Sequence, residues 1–222
     1  MPTDAELDAF RNEDSERAER VASMLREVGD ALAASGDAAA ALEGYDDALA
    51  TARDIGDAEL RAAVELTALS ALGNCHYGRG DFRRARAAHM RALTLSRKLG
   101  DKESEGSDLG NLGATYLALG EADKSAKCHE AALAIARALG DAGAEAIELA
   151  NLGNAMRALG KAPQAVATHL RAVQLAERSA DDGAAPAADG GGASRARGAG
   201  PLSLIHISEP RDGLLSRMPS SA

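Results

Sequence analysis

At 222 residues with a formal net charge of −9, the chain has room for one domain with a tail or for an elongated array of repeats. The negative balance argues against a nucleic-acid backbone or an anionic membrane surface as partner, and no apolar run of about 18 residues marks a transmembrane helix. The acidic opening MPTDAELDAFRNEDSER has no apolar signal core, so a cytoplasmic location is expected.

Residues 3–35 read as helix. Thr3 and Glu6 have the spacing of a capping box, and Val21, Leu25, Val28 and Leu32 form a stripe at helical steps. The part up to Asp14 is either a short leading helix or a frayed end. Residues 1–19 are expected to serve as an acidic helical cap, because repeat arrays need polar ends.

From residue 20 the sequence repeats itself. Leu72, Leu112 and Leu152 fall 40 residues apart, as do Gly73, Gly113 and Gly153, Gly80, Gly120 and Gly160, and His89, His129 and His169. A diverged copy stands in front, with Gly29, Gly36-Asp37, Ala41, Tyr45, Ala48-Leu49 and Gly56-Asp57. It precedes the second copy by 44 residues, the four extra ones falling between Gly56 and Gly73. Self-similarity at such a period is the signature of a solenoid. The repeats are placed at about 20–56, 57–100, 101–140 and 141–178.

Within a copy the apolar residues follow three- and four-residue steps, as in Ala126, Ala132, Leu133, Ile135, Ala136 and Leu139, so each repeat reads as two helices. Gly120 and Gly140 are expected to end helices in the left-handed conformation. The acid after each glycine (Asp81, Asp101, Glu121, Asp141) suits the next helix start, either as a cap or as a charge at the positive dipole end. Lys161 departs from that rule, with Pro163 tolerated in the first turn. The fold class is all-α, a superhelical solenoid of about four helix–turn–helix repeats.

The order Leu-Gly-x-x-Tyr, glycine, Ala-x-x-x-ring-x-x-Ala resembles the tetratricopeptide repeat. The third copy supplies Leu112, Gly113, Tyr116 and Gly120, then Ser125, His129 and Ala132; the others carry His76 and Met156 at the tyrosine position. The long period and the LGN…LG…LGD style are similar to the Pins/LGN branch of the family, and rapsyn shares it. The resemblance covers residues 20–178 and does not extend to a GoLoco-type segment. It implies a non-enzymatic scaffold that holds a partner peptide or helix in a concave groove lined by the first helices. Asn74, Tyr77, Asn111, Asn151, Asn154 and Arg157 are placed in that groove, with Arg26 and Asp30 in the first copy. An asparagine can bond a peptide's amide and carbonyl together, as asparagines at the position of Asn74 and Asn154 do in Pins-like and chaperone-binding relatives. The plain alternative for each is a surface or intra-repeat hydrogen bond. The basic clamp of chaperone adaptors is not reproduced: Ser70, Gly110 and Ala150 stand where lysines would be.

No catalytic motif, cofactor or small-molecule substrate is indicated, and the Asp and Glu residues read as solvated charges at helix starts and exposed faces. Cys75-His76 and Cys128-His129 lie on different helices of different repeats, against a metal site, and the cysteines read as reduced thiols among alanines. His89, His129 and His169, like Tyr45, read as rings filling the gap between the helices of a repeat, neutral and hydrogen-bonded, so that stability falls below about pH 6.

Residues 179–201 read as a Gly/Ala-rich disordered linker. Leu202–Pro210, LSLIHISEP, resembles the in-frame translation of a transposase-type sequencing adapter, and 211–222 its continuation; the other reading is a short β-prone tail. The alternative function is accordingly a regulatory repeat segment of a larger signalling or enzymatic protein.

Overall fold

The computed structural model describes the backbone of residues 4–183 and, within it, the side chains of 12–32 and 34–178. Thr3 of the expected capping box lies outside these residues, as do the linker beyond Gly183 and the adapter-like stretch 202–222. The described residues form eight α-helices and no strand: α1 (Asp4–Ser35), α2 (Ala38–Ala52), α3 (Ala58–Gly78), α4 (Phe82–Leu99), α5 (Lys102–Ala118), α6 (Ala122–Leu139), α7 (Ala142–Ala158) and α8 (Ala162–Gly183). Ala, Leu, Glu and Arg dominate them, the residues that lose least on entering a helix. α1 runs unbroken across position 19, and α8 continues past Arg178 into the span read as linker.

The turns come from glycine. Gly36, Gly80, Gly100, Gly120, Gly140 and Gly160 all have φ between 68° and 80°, the left-handed region that costs other residues energy. At the junctions the next amide reaches back to close the last turn, Asp101 to Ser96 at 3.0 Å and Asp141 to Ala136 at 3.0 Å. Asp37, Asp57, Asp101 and Asp141 then cap α2, α3, α5 and α7 through their carboxylates. Asp81 and Glu121 make no such capping bond; they stand as charges at a helix start, Asp81 near Arg79 and His76 and Glu121 paired with Arg86 and Lys124.

Gly56 departs from the pattern, for it is not left-handed. The loop before α3 is held instead from α1: the Asp14 carboxylate accepts from the amides of Gly56 at 2.9 Å and Asp57 at 2.7 Å. The four-residue excess of the first spacing is one additional helical turn, since α3 has 21 residues and α5 and α7 have 17 each.

Each odd helix packs against the even helix that follows it and on the even helix before it. The odd helices also touch in series, α1 on α3, α3 on α5 and α5 on α7, whereas the even helices do not touch each other. The array therefore bends with its first helices inside and its second helices outside. The core is an alanine–leucine seam: Leu66, Leu69 and Leu72 against α1 and α2, Leu93, Leu109 and Leu112 in the middle, Leu133, Leu149 and Leu152 beyond.

Candidate functional site

Register decides what each first helix presents. Gly73, Gly113 and Gly153 face the second helix of their own repeat so closely that a Cβ there would lie 2.5–2.7 Å from the ring of His89, His129 or His169. Leu72, Leu112 and Leu152 are buried beside them. At 100° per residue, positions one after the glycine and two before it turn out of that seam. Asn74 (α3), Asn111 (α5) and Asn151 and Asn154 (α7) sit there, all partly exposed. None of their side-chain amides hydrogen-bonds another described residue.

Two placed residues behave differently. Tyr77 is half-buried and meets Phe82 edge-on, with ring centroids 5.4 Å apart, and burial raises its hydroxyl pKa; its ring is engaged at the α3–α4 corner. Arg157 is exposed near the end of α7, and Arg26 and Asp30 are exposed on α1.

Beneath the strip lies a polar layer that corrects the reading of every acid as a solvated charge. Asp108, at 1% exposure, accepts from Ser70 of α3 at 2.8 Å and Ser96 of α4 at 3.2 Å. Desolvation pushes its carboxyl up to about 6 against the pull of the two hydroxyls. Its equivalent one repeat on, Glu148, is also buried, and its Oε2 lies 2.7 Å from His129 Nδ1. Glu105 is buried too, bonded by Lys102 and Arg97, which hold its carboxyl below the usual range. Asp14 is buried on the Gly56 and Asp57 amides, which lower it likewise. The sequence carried a signal for the first two: Asp108 and Glu148 occupy one repeat position, four residues before the buried Leu112 and Leu152.

This layer also accounts for the missing clamp. Ser70 uses its hydroxyl on Asp108, and a side chain at Gly110 would meet Glu148 Oε1 at 2.5 Å. Two of the three positions where chaperone adaptors would carry lysines, Ser70 and Gly110, are thus committed to the buried acid of the next repeat, while Ala150 packs against the apolar cluster around Leu149 and Leu152.

The histidine slot is as read in position but not in its bonds. His89 and His129 are almost wholly buried while His169 is half-buried. His129 has its carboxylate, but His89 Nδ1 is buried without a hydrogen-bond partner among the described residues, and burial depresses His89 to about 4. Cys75 is buried in α3 with its thiol 3.5 Å from the Ala38 carbonyl, and Cys128 is half-buried in α6. Among the described residues no three His, Cys, Asp or Glu side chains gather to hold a metal ion. A shallow groove of about 410 Å³ between α3 and α4, lined by Glu65, Leu69, Met90, Arg91, Thr94 and Leu95, includes none of the asparagines.

Comparison with protein families finds a match to the family described as Tetratricopeptide repeat, over residues 20–98, 64–138 and 105–178. No curated protein matches. Among solved structures, the chain is similar to aspartyl phosphate phosphatase F from Bacillus subtilis, at 12% identity and a TM-score of 0.66, over 79% of this chain and 46% of that one. It is similar to a putative kinesin light chain of nearly identical repeats from Podospora anserina, at 17% identity and a TM-score of 0.60, over 78% and 85%. It is also similar to BtubC from P. vanneervenii, at 20% identity and a TM-score of 0.51, over 84% and 92%. These likenesses are of fold. The chain spans a little under half the length of the phosphatase.

Proposed function

Because the chain belongs to the tetratricopeptide repeat family through residues 20–178, we propose that it is a non-enzymatic scaffold, of the long-repeat Pins-like kind, that holds an extended peptide or a helix of a protein partner against its first helices. One observation supports the reading: α3, α5 and α7 touch in series, and by helical register Asn74, Asn111, Asn151 and Asn154 fall on one strip of them, partly exposed and without a hydrogen bond to another described residue. An amide with a free donor and a free acceptor suits a peptide backbone, which offers both. Arg157 and the acidic balance of the chain favour a segment of mixed or basic charge. The setting this implies is a cytoplasmic adaptor in signalling.

The test is selection of binders from a random-peptide library, followed by titration of a selected peptide into wild type and the Asn74→Ala/Asn154→Ala double variant. Two lost peptide hydrogen bonds are worth about 1–3 kcal/mol, a weakening of roughly 5- to 150-fold. Unchanged helicity with that loss supports the reading. Equal affinity for both proteins, or selected peptides that bind elsewhere, would sink it.

A further inference from the structure

The second helices carry a recurring face that the next repeat covers. On α6 it consists of Ala126, His129, Leu133 and Arg137. Ala126 and Leu133 pack into the seam with Leu149 and Leu152 of α7, His129 meets Glu148 at 2.7 Å, and Arg137 pairs with Glu145 at 2.7 Å. On α4 the same face has His89, Leu93 packed in the seam with Leu109 of α5, and Arg97 bonded to Glu105 at 2.8 Å.

On α8 the equivalent residues are Val166, His169, Val173 and Glu177. His169 keeps its contact with Gly153 of α7, but no described helix covers Val166, Val173 or Glu177. Val166 is 60% exposed and Val173 is 54% exposed, where Leu93 and Leu133 are 8% and 6% exposed. The exposure of Leu170 is not special to this end, since Met90 is nearly as exposed at the same repeat position inside the array. One substitution marks the face as something other than another repeat junction or a wetted end. The arginine that pairs forward in the two preceding copies, Arg97 and Arg137, is here the acid Glu177, while the first position of the face varies as Arg86, Ala126 and Val166.

From this pattern we infer that α8 docks on α8 of a second copy of this chain, the two helices antiparallel about a two-fold axis. A two-fold interface must be self-complementary, and this face is. Ala162, Val166, His169, Leu170, Val173 and Glu177 fall within about 100° of arc on the helix. They pair about the midpoint between His169 and Leu170: Val166 meets the second copy's Val173, His169 its Leu170, and Glu177 its Ala162. The last pairing sets an acid at the amino-terminal end of the other α8, beside Lys161, where the helix dipole and the lysine both favour negative charge. An arginine at 177 would be repelled there. A single helix pair buries less than the ~1,200 Å² of the smaller stable interfaces, so the dimer is weak and forms in the upper part of the micromolar range. This inference uses the outer end of the array and does not depend on the groove.

The experiment is sedimentation velocity on the full chain over roughly a hundredfold range of concentration. The weight-average mass should climb from the monomer toward twice that value. Val173→Lys, at a position already exposed, should hold the protein monomeric with unchanged helicity. Glu177→Lys should weaken the dimer about tenfold, and adding Ala162→Glu to that variant should restore it, because each new lysine then faces a new glutamate. A monomer at every concentration would overturn the inference, leaving the face to a helix of another protein or of a longer form of this one. Dimerisation untouched by Val173→Lys, growth beyond a dimer, or no recovery in the Ala162→Glu/Glu177→Lys variant would overturn it equally. Groove binding by the Val173→Lys variant should match wild type, which separates the two readings.

Discussion

The carboxylate of Glu148 fills the space beside Gly110, so that a Cβ on the glycine would stand 2.5 Å from Glu148 Oε1. The acid is anchored by His129 at 2.7 Å and is itself buried, so it has little freedom to withdraw. Gly110→Lys, the change that would imitate an adaptor's clamp, should therefore destabilise the fold by about 1–3 kcal/mol, as overpacking of a filled site does. It should not create binding to a peptide carboxylate. Denaturant midpoints check the first part and titration with a free C-terminal peptide the second. The loss should be smaller in a Glu148→Ala background, the signature of a direct clash.

The glycine–histidine contacts should answer differently along the array. Alanine is intrinsically better than glycine in a helix by about 1 kcal/mol, but at Gly73 and Gly113 its methyl would strike a ring enclosed on all sides. Gly73→Ala and Gly113→Ala should each lose about 1–3 kcal/mol net. His169 is half-buried and can swing outward, so Gly153→Ala should be neutral or slightly stabilising. Three equal losses would show that the rings are held by something other than burial.

Asp14 ties the start of the array to the loop before α3. Asp14→Ala removes the acceptor of the Gly56 and Asp57 amides, and Arg17, which bonds Asp14 and the Asp54 carbonyl, loses one partner. Hydrogen exchange at Gly56 and Asp57 should quicken strongly, with a lower melting midpoint, while exchange within α5–α8 stays as it was. Uniform acceleration along the chain would contradict this local role.

The helices, their turns and their pairing were legible because each follows from a local rule: left-handed glycines, capping aspartates and three-four apolar spacing repeated in register. Gly56 shows where the rule fails. Its loop is shaped by a carboxylate more than 40 residues away in sequence, and nothing local reports that. The asparagines could be placed on first helices by register alone. The buried acids could not be recognised by residue type, since an aspartate in mid-helix is far more often solvated. Only their common repeat position, four residues ahead of core leucines, distinguishes them. The acid opposite the ring separated His89 from His129, which are identical in repeat position and in burial. Glu148 reaches the His129 ring, whereas the shorter Asp108 at the same repeat position bonds Ser70 and Ser96, and His89 Nδ1 has no partner among the described residues.

The expected acid sensitivity of the buried histidines meets an opposing group on the next helix, Asp108 of α5 against His89 of α4. His89, depressed by burial to about 4 from an ordinary 6.5, binds its proton more readily in the unfolded chain. Its contribution to stability is therefore intact above pH 6.5 and is lost as the pH falls toward 4. Asp108, raised to about 6 from 3.8, binds its proton more readily when folded. It costs stability at neutral pH, and that cost is relieved as the pH falls from 6 toward 3.8. Each displacement is worth roughly 3 kcal/mol, with opposite sign over nearly the same range. Wild type should consequently show a shallow dependence of its midpoint between pH 6.5 and 4.5. Asp108→Asn should be at least as stable as wild type at pH 7, since the carboxylate's desolvation cost is gone, and should then fall steeply with acid. His89→Tyr, which places in α4 the residue that Tyr45 supplies in α2, should gain stability over the same interval. His76 and the carboxylates of Asp14 and Glu105 titrate alike in all three proteins, so their effects cancel in the comparison. Urea midpoints measured at half-unit steps of pH decide the matter: slopes of opposite sign for the two variants are required, and parallel curves would refute the opposition.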